Sequence, residues 1–79
     1  MPKQTPRPDY DSDVAIELIW KWIHDKVDRR MLYLRLIDGY TFQKIANAIH
    51  EEEGILFEEK TVRTRVNKGE RIVFSHYPE

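Results

Sequence analysis

The stretch that most limits this chain is "VDRRMLYLRLIDG", residues 27–39. At about 100° per residue, Val27, Met31, Leu34 and Asp38 share one side of a helix, while Leu32, Leu36 and Tyr33 cover the other. A helix that is apolar almost all round belongs in the middle of its neighbours. The rest of a 79-residue chain has to wrap it, and that length supports one small domain. The chain has no cysteine, so neither a disulfide nor a thiolate metal site reinforces the core.

Three further segments carry helical periodicity. In "DSDVAIELIWKWIHDK", residues 11–26, Asp11, Ser12 or Asp13 can cap the start. Val14, Leu18 and Trp22 form one stripe, Ile16, Ile19 and Ile23 a second, and Trp20 widens the apolar arc. That arc is broader than one buried face needs. It predicts a core helix with an exposed Trp20, or a homodimer contact through the Trp20 region. Arg29 and Arg30 open the central helix against the preference of its dipole, so they are expected to hold phosphate or the acids of the first helix. Gly39 is placed to end the central helix in left-handed backbone.

Thr41 then caps a third helix with Phe42, Ile45, Ala46 and Ile49 inward and Lys44 and Asn47 outward. Small Ala46 marks a close approach by another helix, and Gly54 marks the stop. A last helix begins near Glu58 and carries Thr61, Val62, Val66, Ile72 and Val73. Gly69 weakens it by about 1 kcal/mol relative to alanine and predicts a kink or early end. The expected fold is all-α, a bundle of three to four helices over residues 11–75. Residues 1–10, with Pro2, Pro6 and Pro8, read as a flexible arm. Residues 76–79 read as a loop-like tail.

Several functions lose support at this level. No apolar run is long enough to span a membrane, and the polar N-terminus lacks a signal-peptide core. The chain reads as cytoplasmic. His24, His50 and His76 are scattered, and neither a glycine-rich phosphate loop nor a serine or cysteine nucleophile pattern is present. No enzyme activity, cofactor or metal is expected.

Charge distribution points elsewhere. Thirteen bases and fourteen acids leave the chain near neutral, yet Lys60 to Arg71 carries a local net of +4 and Glu51 to Glu59 holds five acids with no base. Such asymmetry suits a directed basic face. On a helical wheel Val62, Val66 and Val73 cluster within about 40°. Lys60, Arg63, Thr64, Asn67, Lys68 and Arg71 fall opposite, with Thr61 at the edge. Arginine and lysine suit guanine edges or phosphates, asparagine suits adenine, and threonine suits phosphate or a thymine methyl. A solvated basic face is the plainer alternative.

With its preceding segments, "RRMLYLRLIDGYTFQKIANAI" followed by "EKTVRTRV" resembles the helix-turn-helix of sigma-70 region 4. It is also similar to small region-4-like regulators of phages and mobile elements in Gram-positive bacteria. The matching positions are Arg29 to Arg35, Gly39, Thr41, Ile45, Ala46, Ile49 and Glu59 to Val66. The resemblance implies sequence-specific binding of double-stranded DNA by a transcriptional regulator, with residues 58–72 as the recognition helix. Lys60, Arg63, Thr64 and Asn67 are expected at or near bases. Arg65, Lys68 and Arg71 are expected at phosphates, and Thr41 and Lys44 at the backbone.

The turn departs from the family pattern. Ala46 and Val62 stand sixteen residues apart, wider than the family spacing, and "HEEEGIL" fills the difference. The preferred expectation is an extra turn on the third helix ended by Gly54, with Ile55, Leu56 and Phe57 packed back on the core. The alternative is a wing-like projection. Two other functions compete with regulation: a protein-interaction module contacting RNA polymerase or another factor, and a phage DNA-packaging or recombination accessory protein.

Overall fold

A computed structural model describes residues 11–77. The expected arm at residues 1–10 and the end of the tail at 78–79 lie outside them. The described residues form four helices and no strand: α1 (Ser12–Trp22), α2 (Lys26–Leu36), α3 (Phe42–Glu53) and α4 (Glu59–Ser75).

Helix α2 is central, as its all-round apolarity predicts. Met31, Leu32, Leu34 and Leu36 are all buried, and α2 packs against each of the other helices. Helix α4 touches all three of the others as well, while α1 and α3 do not meet. The core joins Leu18, Ile19 and Ile23 to the α2 residues, then to Ile45, Ala46 and Ile49 of α3 and Val62, Val66 and Val73 of α4.

The first helix stops sooner than its sequence predicts. Asp11 caps it by accepting the Asp13 N–H at 2.9 Å, but Ile23 is already extended and buried. The cause lies in the next helix: Asp25 accepts the N–H groups of Val27 and Asp28 and so caps α2. "IHD" is therefore a connection, not a last turn. Arg29 closes the open end of α1, donating to the carbonyls of Ile23 and Trp20 and lying 4.3 Å from the Trp20 ring centre. Arg30 reaches α3, where Glu52 accepts two hydrogen bonds of 2.9 Å. Neither arginine pairs with an acid of α1, contrary to that expectation.

Gly39 adopts φ 73°, and the Tyr40 N–H returns to the Leu34 carbonyl at 2.9 Å. Arg35 holds the same bend, donating to the Tyr40 carbonyl and stacking on Phe42 at 4.3 Å. Thr41 caps α3 by accepting the Lys44 N–H at 3.2 Å. Helix α3 runs through all three glutamates and ends at Gly54, φ 73°, which is the extra turn expected.

The next three residues correct the expectation. Only Phe57 packs against the core, whereas Ile55 is 40% and Leu56 79% exposed. Phe57 alone of the three supplies the contact with the core, and Ile55 and Leu56 before it stay in solvent. Gly69 corrects another: α4 continues unbroken to Ser75. Gly69 is buried, with Leu32 filling the space where a Cβ would stand. It serves contact with α2 and does not interrupt the helix. The start of the tail is also tied down, since Tyr77 Oη accepts the Asp11 N–H at 2.8 Å and His76 stacks on Trp22 at 3.8 Å.

Candidate nucleic-acid interface

Helix α4 divides into two sides. Val62, Val66, Gly69 and Val73 are its buried residues and lie within about 60° of one another at helical spacing. Lys60, Arg63, Thr64, Asn67, Lys68 and Arg71 are all exposed, five of them opposite that seam and Arg63 on its flank, about 90° round. The six extend along about 17 Å of helix axis at 1.5 Å per residue, longer than the roughly 12 Å width of a major groove. A helix laid in such a groove would carry donors to base edges and to the phosphates beside them.

The face is electrostatically open. Among the described residues, no carboxylate forms an ion pair with Lys60, Arg63, Lys68 or Arg71; the three ion pairs are Lys26–Glu53, Arg30–Glu52 and Arg65–Asp28. The Thr64 hydroxyl donates back to the Lys60 carbonyl at 3.1 Å, which keeps an oxygen acceptor on the surface.

Arg65 differs from the other bases of α4. It is half-buried, donates to Asp28 at 2.9 Å and lies 4.9 Å from the Phe57 ring centre. It thus joins α4 to α2 and to the end of the turn. Its wheel position beside the buried seam was the available signal. Thr61 is half-buried at the edge of the donor face. Thr41 and Lys44 are exposed at the start of α3. The Thr41 hydroxyl is engaged as a cap and the Lys44 ammonium lies 4.7 Å from the Tyr40 ring centre. Neither forms a hydrogen bond or ion pair with an α4 donor.

The acids of the enlarged turn are partly neutralised from the other side. Lys26 approaches Glu53 at 3.5 Å, and Arg30 grips Glu52 with both ends of its guanidinium fork. Those hydrogen bonds, ahead of simple charge attraction, hold the Glu52 carboxyl below its ordinary value and raise Arg30 above its own. Glu51, Glu58 and Glu59 remain exposed, and Glu58 precedes α4 without making a side-chain cap.

No group of three or more His, Cys, Asp or Glu is placed to hold a metal among the described residues, and no described helix is long and apolar enough to cross a membrane. Comparisons with protein-family models, curated proteins and solved structures return no match.

Proposed function

We propose that this protein binds double-stranded DNA sequence-specifically through α4, as a small transcriptional regulator of a bacterium or its phage. One observation carries the reading: six exposed donor residues share one face of a helix whose opposite face is locked into the core. A helix braced this way presents side chains without distorting its own packing. Lys60, Arg63, Thr64 and Asn67 read bases in this account. Lys68 and Arg71 hold phosphates, and Arg65 braces α4 through Asp28. Thr41 and Lys44 extend the contact to the sugar-phosphate backbone only where DNA reaches the start of α3. The likeness to sigma-70 region 4 belongs to the same reading.

A protein contact is the second reading, with RNA polymerase or another copy of the chain as partner. Its support is the exposure of Trp20 and Leu56, 61% and 79%.

Selection from a random duplex library tests the first reading. Wild type is expected to enrich a common site. Asn67→Ala and Arg63→Ala should each relax one base position, at about 1–3 kcal/mol per lost bidentate contact. Failure to enrich any sequence, with the protein folded, would remove the claim of specificity.

A further inference from the structure

We infer that the turn ending α4 is a latch that holds α1 on the core and couples its opening to the proposed DNA face. Two neighbouring residues make the latch. His76 lies flat on Trp22, with ring centres 3.8 Å apart and planes 3° from parallel. Trp22 is the last residue of α1. Tyr77 Oη accepts the Asp11 N–H at 2.8 Å, and Asp11 caps the start of α1. One short piece of chain thus clasps both ends of the helix.

Helix α1 depends on such a clasp. Its 11 residues fall short of the roughly 12–15 at which an isolated helix becomes even marginal, so tertiary contacts keep it folded. It packs on α2 and α4 and does not meet α3. Arg29 fastens it to α2 through the carbonyls of Ile23 and Trp20, and the latch fastens it to α4. An outer element held this way opens locally, at less cost than global unfolding.

The latch reaches the DNA face through α4. Trp22 and Ile23 line one groove with Lys68, Gly69 and Ile72, so the end of α1 buttresses the stretch of α4 that carries Lys68 and Arg71. Gly69 lowers helix propensity there, and the residues after it rely on packing to stay helical. When α1 lifts away, those residues and the phosphate contacts proposed for them are held less firmly. Binding that favours the closed state must in turn suppress opening, because coupling is reciprocal. This link rests on the DNA reading; the latch itself does not.

Native-state hydrogen exchange of the full chain, followed by NMR, tests the inference. In the free wild type, α1 amides are expected to exchange together and faster than those of α2. Tyr77→Phe and His76→Ala should each speed α1 exchange about three- to tenfold, the worth of one hydrogen bond or one ring stack. Rates in α2 and α3 should not change. Saturating random-sequence duplex at low salt should slow α1 exchange in the wild type by about tenfold. Exchange of α1 only at the global rate, or variants that speed all four helices alike, would overturn the latch. Duplex that binds by fluorescence anisotropy yet leaves α1 exchange unchanged would overturn the coupling. Absence of any duplex binding would remove the DNA reading and the coupling together, while the free-protein rates decide the latch on their own.

Discussion

A Cβ on Gly69 would stand 2.5 Å from Leu32 Cδ1 and 3.0 Å from its Cγ. Leu32 is fully buried, so its isobutyl group cannot swing into solvent to make room. Two effects compete in Gly69→Ala. Alanine gains about 1 kcal/mol of helix propensity, whereas overpacking costs about 1–3 kcal/mol. The expected net is a loss of about 1 kcal/mol in denaturant unfolding. That loss should shrink when Leu32→Ala is added, because the two sites share one space. A stabilised Gly69→Ala would show that the α2–α4 approach is looser than described. Glu52 supplies a second residue-scale test. Its carboxyl titrates below the ordinary value because Arg30 donates to it, so the folded state binds that proton less readily than the unfolded chain. The pair's contribution is therefore complete above the unfolded glutamate pKa of about 4.3 and is lost as pH falls through the lower folded value. It is a surface pair, worth roughly 0.2–1 kcal/mol. Wild type should exceed Glu52→Gln by that amount near neutral pH and converge with it in acid, as read by unfolding at several pH values.

At the scale of elements, the enlarged turn is set by where α3 stops. Gly54 adopts φ 73°, and a Cβ there would meet nothing within 4 Å. The cost of Gly54→Ala is then one of backbone conformation alone, about 1–2 kcal/mol for an L-residue held left-handed. Gly54→Asn should cost less, since asparagine tolerates that region. Thermal unfolding of the two variants checks the order, and equal losses would contradict a purely conformational origin. The helices themselves were legible in sequence because their apolar residues recur at helical spacing and Asp11, Thr41, Gly39 and Gly54 mark several of their ends. The α1–α2 boundary was not, since periodicity continues through Ile23 while Asp25 caps the next helix. Leu56 was misplaced because hydropathy alone demanded its burial, whereas Phe57 is the one residue of the three that reaches the core.

For the whole molecule, a near-neutral chain separates its charge by packing. Bases of α2 take Glu52 and Glu53, while among the described residues no carboxylate forms an ion pair with Lys60, Arg63, Lys68 or Arg71 on α4. The donor face was readable from the helical wheel, because one amphipathic helix defines both of its sides. Arg65 required the fold, since Asp28, 37 residues away in sequence, reaches it only once α2 and α4 are packed. That difference gives a contrast within one helix. Arg65→Ala should mainly lower stability, by less than about 1 kcal/mol, whereas Arg63→Ala should mainly lower DNA affinity.

The most direct measurement of the central claim is the salt dependence of duplex binding by wild type and by Lys68→Ala, followed by fluorescence anisotropy. If α4 lies in the groove with its bases at phosphates, affinity falls steeply and linearly on logarithmic axes, by about 0.9 in slope for each phosphate neutralised. Lys68→Ala should then flatten the slope by about 1. No binding even at low salt, or a wild-type slope that Lys68→Ala leaves unchanged, would contradict the assignment of α4 as the DNA-binding face.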